Sequence, residues 1–437
     1  MAHKNLLLIS HNAFSDTKSN GKILSTLFRE WPSDKISQLY FWNEFPSGSV
    51  CDRFYRLRDH DILKGNLTGT RAIGTVIDRQ AINGPAPAHS DAKPAGPLAS
   101  AVQWAFTKKM PIAEAIRDIM WRKSKYISDD LLKWLDESRP EIVFLLGGPI
   151  SFAYRISLWI CGRYGAELNV LITDDVTFVR NRMSPFAWIN YARHRKWFAR
   201  SLEKSTATYV IVPAMKKEFE HKHKCSNVVL ALNSFDLLPL DEGEDASSGV
   251  LRLLYAGNVG LNRWQTLRKL GLCLAELEKD GYRAKLEIFS PTPISDKMKK
   301  ALTVENAMSY NGSLNPEQLR DAIKRSNVLV HVESFRRKYR RITRLSLSTK
   351  IAESLIAGRC LLAIGPEDVS SMEYLKDNDA AHIINDTQRD AMKEALTPLF
   401  SAEYRRATAK RAYEVAAENH DADKMRKTVY ENIHRQK

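Results

Sequence analysis

Short apolar runs recur along this chain in two series, each run leading into a helical pattern, and one acidic stretch of small residues separates the series. In the first, residues 4–10, 36–42, 141–146, 168–173, 208–212 and 227–232 read as strands. Helical periods fall near 20–30, 111–136, 151–164, 185–204 and 214–222. In the second, strands are expected at Leu251–Ala256, Lys285–Phe289, Val328–Val332, Cys360–Ile364 and Ala381–Ile384. Strands that alternate with helices and are apolar throughout belong in a parallel sheet covered on both faces.

A chain of 437 residues exceeds one ordinary core. The expectation is therefore an α/β protein of two Rossmann-like parallel-sheet domains, residues 1–240 and 250–420. The run DEGEDASSG at 241–249 is the linker. Asn83–Leu98 holds four prolines and two glycines without an apolar period, so a loop is expected there. One helix start is explicit: Asn315 caps, Pro316 takes the first helical position and Gln318 completes a capping box.

Several classes are disfavoured. No apolar run reaches membrane-spanning length, since Ile142–Cys161 is broken by Gly147, Gly148, Pro149 and Arg155, and Leu6–Ile9 is too short for a leader core. A cytoplasmic protein is expected. Five cysteines without C-x-x-C indicate neither a disulfide framework nor a thiolate zinc site. With 66 Lys plus Arg against 51 Asp plus Glu, the formal charge of +15 favours an anionic partner. Basic residues gather at Arg193–Lys196, Lys216–Lys224 and Arg336–Arg344, two of these sets with Trp or Tyr close by, a mixture suited to anionic lipid headgroups. No nucleic-acid recognition motif accompanies them, so no nucleic-acid partner is expected.

Chemistry concentrates in Leu345–Leu375. Ser348 or Thr349 caps a short helix expected to end at Gly358; Lys350 adds charge at its start, and Lys350 and Glu353 share one face while Ile351 and Leu355 take the core face. An anion fits the helix start beside Lys350, and the Glu353 carboxylate can accept two ribose hydroxyls. Upstream, Leu251–Ala256 runs into Gly257, Asn258 and Gly260, after which Arg263 opens a helix. Glycines let backbone approach a phosphate and an arginine fork can clasp it. Glu333 follows the strand Val328–Val332 and should emerge at the carboxyl edge of the sheet, unless it pairs with Arg336 or Arg337.

In the first half, Asn20 and Gly21 open a helix after the first strand, either as a plain cap or as a loop approaching a ligand. Asp174 and Asp175 end the strand 168–173, positioned to meet a ligand's hydroxyls, to act as a general base or to cap a helix. His11 lies just beyond the first strand, and Asp52, Asp59 and Asp61 either line a ligand site or carry surface charge. His221, His223 and Cys225 alternate with lysines that would repel a cation. No metal site and no bound cofactor are predicted.

These segments resemble the GT-B glycosyltransferases, in particular the family 4 type enzymes of bacterial capsular and surface polysaccharide assembly. Similar to that family are Ser348–Gly358 with the following strand and Gly365-Pro366-Glu367, the Leu254–Arg263 turn, Val330–Phe335, and Asn5–Ser10 with Ser19–Lys22. The resemblance implies two domains facing a central cleft, a UDP- or GDP-sugar donor, and retention of configuration. It also implies a lipid-linked or oligosaccharide acceptor, a peripheral position on the membrane, and a tail from about 421 to 437 bracing the first domain. It assigns the diphosphate to Arg263 and Lys350, the ribose to Glu353 and the donor sugar to Glu333, with Gly257 and Asn258 assisting. The family usually separates its two acidic residues by seven positions; here nineteen lie between Glu333 and Glu353, with an arginine-rich insertion. An epimerase or hydrolase of the same architecture and a non-catalytic basic scaffold are the alternatives. A dehydrogenase is disfavoured because G-x-G-x-x-G follows no strand.

Overall fold

The computed structural model describes residues 3–15, 19–48, 50–69, 73–78, 110–123, 126–175, 183–237, 239–240 and 249–434. The expected loop at 83–98 and nearly all of the expected linker at 241–249 lie outside them. The chain divides into two compact units: Met1–Ile211, Met215–Ala231 and Met425–Lys437 form the first, and Val212–Ala214 with Leu232–Lys424 form the second.

The first unit is built on eight strands: β1 (Leu6–Ser10), β2 (Ile36–Tyr40), β3 (Arg53–Arg56), β4 (Thr75–Asp78), β5 (Ile142–Gly147), β6 (Glu167–Ile172), β7 (Ser205–Val210) and β8 (Val228–Leu230). Their order is β4-β3-β2-β1-β5-β6-β7-β8, parallel except for the β3–β4 pair. Apolar runs are continuous because both faces are covered; every residue of β1, β2 and β5 is buried. The helix Ala422–His434 ends against this unit, where Arg426 Nε lies 3.0 Å from Glu30 Oε1 and Tyr209 donates to the Val429 carbonyl at 3.5 Å.

Three features depart from expectation. The short strands β3 and β4 are an edge addition whose cross-strand partners, not local pattern, hold them. The polar segment around Asp59 is a helix, Asp59–Thr68. Its acids serve the fold: Asp59 Oδ1 accepts from Arg117 Nε at 2.8 Å and Trp121 Nε1 at 2.7 Å, and Asp61 is clasped by Arg58. The single helix expected over 111–136 is two, Pro111–Lys123 and Asp129–Ser138, because Ser128 turns the chain, accepting from Leu131 N and lying 3.2 Å from the Tyr55 hydroxyl.

In the second unit β9 (Leu251–Ala256), β10 (Ala284–Phe289), β11 (Met308–Tyr310), β12 (Val328–Val332), β13 (Cys360–Ile364) and β14 (His382–Ile384) make an all-parallel sheet. The order β11-β10-β9-β12-β13-β14 reverses direction between β9 and β12, which is the switch point of a doubly wound sheet. The capping box at Asn315 and Gln318 forms as the sequence specifies. Among the described residues no helix is long and apolar enough to cross a membrane.

His420 closes this unit. Its Nδ1 donates to the Asn233 carbonyl at 2.6 Å, which leaves Nε2 to accept the Tyr374 hydroxyl at 2.9 Å, and Phe235 N bonds the His420 carbonyl. Burial holds the imidazole at about 4, outweighing the bond to the Asn233 carbonyl. The fold therefore accommodates the neutral ring. Its contribution is complete above the unfolded value of about 6.5 and is lost as pH falls toward the folded value, about 3 kcal/mol in all. Urea unfolding at a series of pH values should show that loss, and His420→Gln, which keeps one donor and one acceptor, should flatten it between those limits.

Candidate functional site

At the switch point of the second unit, the turn after β9 is fixed by its own polar groups. Tyr255 donates its hydroxyl proton to the Asn258 carbonyl at 2.7 Å, and Gly260 N donates to Asn258 Oδ1 at 2.6 Å. A Cβ on Gly260 would lie 2.7 Å from that oxygen, so any larger residue would have to displace the Asn258 side chain from this bond. Leu261 and Asn262 then take left-handed conformations, φ 51° and 65°, which non-glycine residues adopt at a cost. The helix Arg263–Lys279 starts immediately after; the N–H groups of Arg263, Trp264 and Gln265 are already bonded to the carbonyls of Gly260, Val259 and Asn262.

Arg263 points across the sheet to Glu333 at the end of β12, its Nη2 donating to Oε1 at 3.0 Å and Oε2 at 3.1 Å. The carboxylate is only 4% exposed. Ser371 donates to Oε1 at 3.4 Å, His331 Nε2 stands 3.3 Å from it, and Thr266 donates to the Glu333 carbonyl. Burial alone would raise the carboxyl, but the Arg263 charge and then His331 outweigh it and hold Glu333 below the usual carboxylate range. For Arg263 burial pulls the other way, and the Glu333 charge keeps it above its ordinary value. Arg263 Nε is buried without an acceptor among the described residues.

The turn after β13 completes the arrangement. Gly365 lies against Glu333, and a Cβ there would sit 2.9 Å from the Glu333 Cβ. Beyond it opens a cavity of about 510 Å³ lined by Phe335, Arg340, Pro366, Glu367, Asp368, Asn385 and Asp386, at the carboxyl ends of β12, β13 and β14. Arg340 pairs with Asp368. Glu367 Oε1 accepts from Lys376 Nζ at 3.0 Å and Asn385 Nδ2 at 2.9 Å.

Lys350 and Glu353 form a separate pair, Nζ to Oε2 at 2.7 Å, on the helix Thr349–Leu355 with side chains 48% and 28% exposed. Ser348 supplies the cap, accepting from Lys350 N. The helix ends at Leu355, short of the expected Gly358, because the chain tightens through Ile356 and Ala357 before Gly358 turns at φ 66°.

In the first unit, Asn20 and Gly21 stand on the helix Ser19–Phe28 after β1, and a Cβ on Gly21 would meet the Ala13 carbonyl oxygen at 2.6 Å. Asp174 is exposed and Asp175 buried beyond the end of β6; the next described helix, Pro185–Lys204, has Ser184 at its cap. His221 Nδ1 donates to the Lys217 carbonyl and His223 packs against Phe198 and Phe219.

The structure thus joins Arg263 to Glu333 and Lys350 to Glu353. The alternative of Glu333 pairing with Arg336 or Arg337 gives way to Arg263, a partner 70 positions away. In the sequence Arg340 stands out only as part of the basic cluster Arg336–Arg344, and Asp368 and Asn385 do not stand out; the signal nearest them is the Gly365-Pro366-Glu367 turn.

No family model and no curated protein matches the sequence. Solved structures do match in fold. Sucrose-phosphate synthase from Thermosynechococcus elongatus superposes with TM-score 0.60 at 10% identity over 98% of each chain. The α,α-trehalose 6-phosphate synthase from Burkholderia multivorans gives 0.57 at 11% identity, covering 99% of this chain and 96% of its own. The lipopolysaccharide outer core galactosyltransferase WaaB, in its apo form, gives 0.53 at 10% identity over 98% of each chain. At such identities the likeness shows the fold alone: two Rossmann-like parallel-sheet domains of the GT-B type.

The buried pair generates a stability prediction. Glu333→Gln leaves the Arg263 charge buried and uncompensated, at a cost of about 3–5 kcal/mol, whereas Arg263→Met with Glu333→Leu should recover most of that loss. Urea unfolding of the single and double variants measures both.

Proposed function

We propose that this chain is a glycosyltransferase that moves a sugar from a UDP- or GDP-linked donor to a lipid-linked or oligosaccharide acceptor in surface polysaccharide assembly, with retention and without a metal. The observation that carries the reading is the contrast at the carboxyl edge of the second sheet between a buried, immobile Arg263–Glu333 pair and an exposed, exchangeable Lys350–Glu353 pair. The fold shared with sucrose-phosphate synthase, trehalose 6-phosphate synthase and a galactosyltransferase supports it.

In this reading the anomeric C–O bond to the donor diphosphate breaks, the bonding pair leaves with the diphosphate, and the acceptor hydroxyl oxygen bonds the anomeric carbon as its proton passes to a base. Lys350 offsets the charge that accumulates on the leaving oxygen, beside a turn that Arg263, already matched by Glu333, holds in place. Glu353 releases Lys350 and accepts the ribose hydroxyls. Exposed ion pairs are worth a few tenths of a kcal/mol, so that exchange costs little. Glu333 holds the guanidinium in place at the donor-sugar side, with Gly257 and Asn258 shaping the turn. In the first unit, Asp174 and Asp175 are the candidates for that base, and Asn20 and Gly21 the candidates for backbone contact with a ligand.

Replacing Glu353 by Ala removes a charged hydrogen-bond acceptor worth roughly 1.5–3 kcal/mol, so donor affinity should fall about ten- to a hundredfold. Calorimetric titration with UDP and GDP measures it. Unchanged affinity in a folded variant removes Glu353 from the ribose, and binding of neither nucleotide by the parent chain sinks the transferase reading.

A further inference from the structure

Two helices of the first unit carry large apolar side chains into solvent. On Pro111–Lys123, Ile112, Ile116 and Ile119 recur at i, i+4 and i+7 and are 44%, 55% and 41% exposed, while Ala113, Ala115 and Trp121 face inward. On Pro185–Lys204, Phe186, Trp188 and Ile189 are 41%, 49% and 43% exposed, and His194, Phe198, Ser201 and Leu202 are buried. Met110 and Met183, both exposed, precede the two helices. The helices are neighbours: Asn190 Nδ2 donates to the Pro111 carbonyl at 2.7 Å, and Arg193 lies 3.6 Å from Asp118.

Single exposed apolar residues are ordinary, but this many on two adjacent helices mark an interaction surface. Its chemistry selects the partner. The row begun by Phe186 and Ile189 continues at the same spacing through Arg193, Lys196 and Arg200, so one helix presents apolar groups along its first half and cations along its second. Lys196 and Arg200 are exposed, each about 5.9 Å from the Trp197 ring centroid, and Arg195 is exposed beside them. The acids on the neighbouring helix are Glu114, which is exposed, and Asp118, which lies 3.3 Å from Arg122 as well as near Arg193. Apolar side chains reaching the acyl boundary, with Trp, Arg and Lys at phosphate level, are what an interfacial helix presents to lipid.

We propose that the helices Pro111–Lys123 and Pro185–Lys204 dock the first unit onto an anionic lipid bilayer. This locates the membrane-facing surface that the proposed function calls for, yet it stands on the exposed side chains and not on glycosyl transfer.

The test is co-sedimentation of the full chain with vesicles of phosphatidylcholine alone or mixed with phosphatidylglycerol, over a range of salt. Binding to the mixed vesicles that weakens with salt is expected. Ile116→Ser with Ile189→Ser, and separately Lys196→Glu with Arg200→Glu, should each weaken it by roughly tenfold or more, whereas Lys216→Glu with Lys217→Glu on another helix should weaken it less. No binding to mixed vesicles, equal binding to phosphatidylcholine, or binding unchanged in both helix-pair variants overturns the proposal. Loss of a dimer in sedimentation velocity with vesicle binding intact would do so as well, by assigning the face to a second copy. If the serine variant shifts the melting temperature, the charge-reversal pair decides. UDP and GDP titrations on the same preparations report the transfer reading separately.

Discussion

A carboxylate and a guanidinium removed from water at the switch point of the second sheet constrain everything around them. Neither charge is tolerable there alone, so Arg263 and Glu333 must find each other, and each stands at the end of a different strand. Their contact ties the turn after β9 to the end of β12, Thr266 adds a second tie through the Glu333 carbonyl, and Ser371 brings in the helix after β13. The close approach of Gly365 follows from the same requirement, since a side chain at that position would push the carboxylate away from its partner.

Rigid and exchangeable charges therefore have separate places in this unit. The buried pair is a frame whose disruption costs several kcal/mol. Lys350 and Glu353, on a short capped helix and open to water, bind each other weakly enough to accept other partners. Arg340 and Asp368 bring part of the arginine-rich segment 336–344 to the wall of a cavity that begins where the Glu333–Gly365 contact ends. The segment between Glu333 and Glu353 thus contributes lining to the same sheet edge.

Much of the fold was legible. The apolar runs of β1, β5 and β13 announce strands buried on both faces, and the cap at Asn315, the helix opened by Arg263 and the Ser348 cap form where residue type places them. Ile351 and Leu355 face the core as their spacing requires. The strands β3, β4 and β11 were not legible, being short and held by neighbours. The break at Ser128 was hidden too, because Tyr55, which fixes it, comes from another part of the chain. At the candidate site the individual residues could be named from their motifs, but the pairing of Glu333 with Arg263 rather than with the adjacent arginines could not.

The sequence alone determined the longer strands and helices, because backbone hydrogen bonding and apolar periodicity act over a few residues. It also determined the two-part α/β organisation and which charged residues stand beside the glycine turns and helix starts of the second unit. Tertiary structure decided which charges are buried and committed to one another, which remain in water to be exchanged, and which apolar rows on Pro111–Lys123 and Pro185–Lys204 are left uncovered. Burial depends on distant segments of the chain, and it is burial that sets how strongly a charge needs its partner and how strongly an apolar group avoids water.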